Sequence, residues 1–112
     1  MAGTVVTFTN AAAIGKINLF TLLTVGHASA TVPHKLGAGS SPNVRKLTLR
    51  AAPANVGTIK VGDGSLSSTD FELSFDGGEG ETWQSDVSNV GLKNKFVIAD
   101  TNNDKLFVSI DP

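Results

Sequence analysis

The feature that most restricts what this chain can become is a period-of-two alternation that appears in short bursts. In Arg45-Lys46-Leu47-Thr48-Leu49-Arg50-Ala51 the apolar residues fall at 47, 49 and 51, with Lys46, Thr48 and Arg50 between them. Successive side chains of a strand point to opposite faces, so this is a strand with one buried and one wet face. Residues 70–75 put Phe71, Leu73 and Phe75 on one face, which predicts that these aromatics join a core. Residues 105–110 do the same with Leu106, Val108 and Ile110.

Residues 4–8, 17–25, 58–61, 81–85 and 92–99 are further strand candidates, which makes about eight in all. Between them lie turn formers: Gly62-Asp63-Gly64-Ser65, Asp76-Gly77-Gly78-Glu79-Gly80 and Thr101-Asn102-Asn103-Asp104. Such residues accept positive φ or bond their own backbone. Helix evidence is confined to residues 10–14, where Asn10 would cap a stretch that Gly15 ends within a turn or two. Gaps this short leave no room for crossover helices, so the expected fold is all-β and antiparallel, a sandwich or barrel. With 112 residues and no internal repeat, one domain with one core is expected. Residues 37–42 read as a loop rather than a linker, because neither side alone would make a core.

Composition narrows the function. Nine Lys and Arg against ten Asp and Glu leave a net charge of −1, and no basic block stands anywhere in the chain. Binding to nucleic acid or to anionic lipid draws on concentrated positive charge, so neither partner is indicated. No cysteine is present, which removes disulfides and thiolate chemistry. The apolar stretch 17–25 follows Lys16 and precedes Ala28-Ser29-Ala30, but Asn18, Thr21 and Thr24 interrupt it, so it reads as part of the fold rather than a leader or a membrane span.

The residues able to do chemistry each have a plainer explanation. His27 and His34 are the only histidines; an odd offset along an extended segment puts their rings on opposite faces, wrong for a shared metal. Asp100-x-Asn102-x-Asp104 repeats the first ligand positions of a calcium loop, yet Lys105 stands where the sharp turn needs glycine. A hairpin turn between the last two strands accounts for the same residues. Asp76, Glu79 and Glu81 gather carboxylates, but a glycine-rich turn offers solvent rather than the cleft an acid/base pair needs. No serine sits in a nucleophile elbow, and no glycine pattern ends in a phosphate loop. The expectation is a non-enzymatic protein with no cofactor, no metal and no small-molecule substrate.

Phe20 and Phe107 fall out of phase with their apolar neighbours and are expected to face outward, as candidates for a subunit contact. Residues 1–15 read as an extended arm whose Val6 and Phe8 would lie against a neighbouring subunit by strand addition. Trp83, with Gln84 and Asp86 beside it, would serve a sugar- or receptor-binding module if it lay open in a groove.

Taken in order, the later segments carry a resemblance. Leu47-Thr48-Leu49-Arg50-Ala51 leads to Asn55-Val56-Gly57-Thr58-Ile59-Lys60-Val61-Gly62, then Leu66-Ser67-Ser68-Thr69, then Gly78-Glu79-Gly80-Glu81. The chain closes with Phe96-Val97-Ile98-Ala99-Asp100 and Lys105-Leu106-Phe107-Val108-Ser109-Ile110. This string resembles small tailed-phage virion proteins of the capsid decoration, or cement, type. Family members often carry Leu-x-Pro-Gly-Glu where this chain has Phe75-Asp76-Gly77-Gly78-Glu79, without the proline. The resemblance implies an antiparallel β-sandwich of jelly-roll-like type, made in the host cytoplasm and seated on the outer surface of a phage head. Its implied partners are the major capsid protein and copies of itself, as a homo-oligomer such as a trimer. A tail, spike-base or head-fibre component is the structural alternative. Residues 1–44 lie outside the resemblance.

Overall fold

The computed structural model describes residues 2–10, 16–37, 39–67, 69–85 and 90–111. Among them the chain is mostly β, in antiparallel sheets. Eleven strands run in the order β1 (Ala2–Phe8), β2 (Ile17–Asn18), β3 (Ala30–Thr31), β4 (Asn43–Val44), β5 (Lys46–Ala51), β6 (Ile59–Gly62), β7 (Leu73–Phe75), β8 (Thr82–Gln84), β9 (Val90–Gly91), β10 (Phe96–Ala99) and β11 (Lys105–Asp111). Four of these are only two residues long, which is why the alternation shows the longer ones and misses the rest.

One sheet has the order β3-β1-β11-β5-β8 and the other β2-β10-β6-β7, with β4 and β9 forming a separate pair. The inward residues of both sheets meet in one core: Val6, Phe8, Leu47, Leu49, Leu106 and Val108 from the first, and Ile59, Val61, Phe75 and Val97 from the second. Alternation is strict along β5 and β11, where Leu47, Leu49 and Ala51 face Ile110, Val108 and Leu106 in register.

Several expectations are corrected. The stretch 17–25 is not a strand beyond Asn18; it turns into α1 (Leu19–Thr24), whose Leu19, Leu22 and Leu23 are buried. That i, i+3, i+4 spacing is helical, and Asn18 caps it by accepting a hydrogen bond from the Thr21 amide at 3.1 Å. The competing apolar residues at 17, 19 and 23 conceal the helical period in a stretch this short. Of the helix expected at residues 10–14, residues 11–14 lie outside the described residues, as do residues 1 and 11–15 of the expected arm. Phe71 is 43% exposed rather than inward. β7 begins only at Leu73, because the Ser67 hydroxyl takes hydrogen bonds from the amides of Thr69 and Asp70 and so turns the chain. The Asp100–Asp104 turn is not a hairpin either, since β10 and β11 belong to different sheets and the turn carries the chain across the sandwich.

The arm is corrected as well. β1 lies between β3 and β11, paired with β11 from Ala2↔Ile110 to Thr7↔Lys105. Val6 and Phe8 are fully buried in the chain's own core, so neither side chain is open to a neighbour. Fully burying such side chains contributes about 1.5–3 kcal/mol each, which a segment this apolar gains by pairing internally.

Candidate functional site

Three loops meet at one end of the sandwich: residues 52–58 after β5, 76–81 after β7 and 100–104 after β10. The centre of this junction is Asp104, which is 2% exposed. Its two carboxylate oxygens accept the amides of Val56 and Gly57, each at 2.9 Å. Asn55 works the same seam from the other strand. Its Oδ1 accepts the Lys105 amide at 2.7 Å and its Nδ2 donates to the Lys105 carbonyl at 2.8 Å, so the side chain stands in for a strand partner. Asp100 completes the arrangement by accepting the Thr58 amide at 2.9 Å. The turn also ties to β1, where the Phe8 amide donates to the Asp104 carbonyl and the Asn103 amide to the Phe8 carbonyl.

Close approach explains two glycines here. A Cβ on Gly57 would stand 1.9 Å from Thr101 Oγ1, and one on Gly77 would stand 2.5 Å from the Val56 carbonyl oxygen. Gly77 thus lies against the backbone of Asn55 and Val56, and Gly57 against the side chains of Asp100 and Thr101, so Val56 is held from both sides while its side chain is 82% exposed.

This geometry accounts for the calcium-like spacing. Asp104 has both oxygens on backbone amides and Asp100 serves Thr58, so the carboxylates act as loop clamps. Among the described residues no group of three or more His, Cys, Asp or Glu is placed to hold a metal. The two histidines serve separate local roles: His27 Nδ1 accepts the Ser29 amide at 3.1 Å, and the His34 amide donates to Thr4 Oγ1 at 3.3 Å. The acidic turn is solvated. The Glu81 carboxyl titrates above the usual range, chiefly through a hydrogen bond with Glu79; desolvation and the charges of Glu79 and Asp76 add to this. Asp63, at the opposite end, is held below it by hydrogen bonds from the Ser65 hydroxyl and amide.

The aromatics divide cleanly. Phe8 and Phe75 are buried, and each of the other five lies under a cation: Lys16 over Phe96, Arg50 over Phe107, Lys60 over Phe71, Lys93 over Phe20 and Lys95 over Trp83, at 4.8–5.7 Å from the ring centre. Such pairs occur about once per 70–80 residues in proteins, so five here mark a consistent use of lysine and arginine to cover ring faces. A covered face is a poor platform for stacking a base or a sugar. Trp83 is half-buried, packed against the core beside Leu49, and Lys95 over it also pairs with Glu72 at 3.4 Å. Of the four expected contact residues, Phe107 alone lies on an outward sheet face, between Val5 and Arg50 on neighbouring strands, while Phe20 is half-buried against the core.

Sequence reasoning missed the Asp104–Asn55 clasp. Its signal is an Asn in the loop after β5 and an Asp just before β11, whose meeting only the pairing of these two strands makes visible. Two shallow clefts lie at the opposite end. One, of about 110 Å³, runs between the start of β1 and the segment His34-Lys35-Leu36, and the other, of about 270 Å³, adjoins it and shares Leu36 and Ile110. No helix among the described residues is long and apolar enough to cross a membrane. In comparison with known proteins, no family model, no curated protein and no solved structure matches this chain.

Proposed function

We propose that this chain is a non-catalytic structural protein of a tailed-phage particle, a decoration protein that sits on the outer surface of the head and stabilises it. The observation that carries the reading is that the residues of the resemblance belong together in space. Asn55 and Gly57 of the Asn55–Gly62 segment, the glycine-rich acidic turn, Asp100 and Lys105 all meet at the three-loop junction. A sequence pattern that builds one rigid end of a sandwich is a pattern with a structural purpose, and rigid loop ends suit binding to a fixed surface.

The described surface adds support from the side of chemistry. Asp100 and Asp104 are clamps, Glu72 and Asp111 are ion-paired, the Asp76–Glu81 carboxylates stand in a solvated turn, and the aromatics outside the core are each covered by a cation. A repeated shell contact asks for many modest, preorganised contacts rather than a reactive centre. The partners under this reading are the major capsid protein and further copies of this chain.

Electron microscopy of purified particles is the decisive experiment. Density for this chain at many equivalent positions on the shell is the expected outcome, together with loss of heat or osmotic stability when the gene is deleted. Low copy number at one vertex or on the tail points to the tail or fibre alternative. Particles without the chain, or deletion particles as stable as wild type, would sink the decoration reading.

A further inference from the structure

The two ends of the sandwich differ in charge and in shape. At the end of the three-loop junction stand Asp76, Glu79, Glu81, Asp100 and Asp104, with Arg50, Lys60 and Lys105 as the described cations near that end. The other end holds Lys16, Lys35, Arg45, Lys46, Lys93 and Lys95 against Asp63, Asp70, Glu72 and Asp111. Among the described residues the near-neutral total thus divides into an acidic excess at one end of the strands and a basic excess at the other.

Each end also carries half of an apolar contact. Val56 projects from the acidic end, 82% exposed, on a loop whose backbone is bonded to Asp104 and packed against Gly77. An exposed aliphatic side chain on a backbone held this firmly has already met the ordering cost of binding. At the basic end, the cleft of about 110 Å³ is walled by Leu23, Leu36, Val108 and Ile110, with His34 and Lys35 at its rim. Its walls are fixed, since the Leu36 amide donates to Leu23 at 2.7 Å and the His34 amide to Thr4. A cavity of roughly 150 Å³ admits benzene, so this one suits a single aliphatic side chain.

We propose that a second copy of this chain is the occupant: the Val56 loop of one molecule seats in the Leu36–Ile110 cleft of the next, with Asp76 and Glu79 against Lys35. Among the described residues nothing covers either surface, their charges are opposite, and the knob matches the cleft in size and polarity. Two different patches at opposite ends make a heterologous contact, which closes into a ring or extends as a stack. The contact stands apart from the phage reading and is tested on the isolated protein.

The chain has no cysteine, so single engineered thiols report the contact cleanly. Val56→Cys protein mixed with Lys35→Cys protein under mild oxidation is expected to give a disulfide-linked pair at about ten times the yield of Val56→Cys mixed with Arg50→Cys, because a docked thiol reacts as if at high local concentration. Sedimentation of the wild-type chain is expected to show association that weakens about tenfold on raising salt from low to several hundred millimolar, and to be lost in Val56→Asp and in Lys35→Glu. Circular dichroism checks that these variants fold. Wild-type chain that stays monomeric up to millimolar concentration overturns the proposal, as does cross-linking no greater than the Arg50 control. A dimer linked most efficiently through Val56→Cys alone replaces it with a symmetric contact.

Discussion

Replacing Asp104 tests whether the three-loop junction stabilises the fold as its geometry says. Asp104 is buried and receives two amides at 2.9 Å, from Val56 and Gly57. Hydrogen bonds to a charged group contribute about 1.5–3 kcal/mol each, and a donor left without a partner costs about 1–3 kcal/mol. Both amides are only partly buried, so water recovers some of this on truncation, and Asp104→Ala should lose about 4 kcal/mol. Asp104→Asn keeps the shape and one acceptor but turns an amide NH₂ toward a backbone N–H, for a loss of about 2 kcal/mol. Against a total of about 5–15 kcal/mol these are large fractions. For a domain of this size each kcal/mol lowers Tm by about 4 °C, so the expected shifts are about 15 °C for the alanine and about 8 °C for the asparagine. Thermal melts followed by circular dichroism measure both, and hydrogen exchange should show protection lost first at the Val56 and Gly57 amides. A shift under about 2 °C for both variants would refute the clamp. So would a rise in wild-type Tm on adding calcium, since that requires the carboxylate oxygens to bind an ion instead.

Other consequences are equally direct. Gly57→Ala and Gly77→Ala each place a methyl against fixed neighbours, so each should destabilise by about 2–4 kcal/mol, read as lost expression of folded protein or a Tm fall of at least about 8 °C. Deleting residues 2–8 removes a central strand and should leave no cooperative unfolding transition; a stable, cooperatively melting truncate would restore the idea of a free arm. Asn18→Ala removes the α1 cap and its 2.7 Å bond to the Lys93 carbonyl, at a cost of about 1–2 kcal/mol in urea unfolding. Glu81 binds its proton more tightly folded than unfolded, so its contribution favours the fold at acid pH and is lost as pH rises from the ordinary 4.5 through the raised folded value. Asp63 works the opposite way: its contribution is present above the ordinary 3.8 and lost as pH falls through its lowered value. Asp63 is exposed and Glu81 half-buried at the surface, and the effects are small, so NMR titration is the measurement, with Glu79→Gln expected to return Glu81 toward the ordinary range.

Alternation along 46–51 and 105–110, glycine-rich turns and the absence of a helical crossover were enough to read an all-β antiparallel fold, because a one-residue slip would turn every apolar side chain out of the core. Phe75 inward and Phe107 outward follow from the same rule. The rule ends where the chain stops being a strand. The helical spacing of Leu19, Leu22 and Leu23 was hidden in a six-residue element, and Phe71 turned outward because a serine-capped turn intervenes.

Partnership between strands was not legible at all. An apolar, alternating segment such as Val5 to Phe8 reads the same whether it pairs with its own chain or with another, and only the register with β11 assigns it to the core. The candidate site was beyond reach for the same reason. Asn55 and Asp104 are far apart in sequence, and nothing local marks Val56 as exposed until the loops around it are in place. The local sequence determined which faces are apolar and where the chain turns, because those depend on near neighbours. The tertiary structure alone decided which carboxylates clamp backbone, which end carries which charge and where an apolar knob stands exposed, because those depend on residues that only folding brings together.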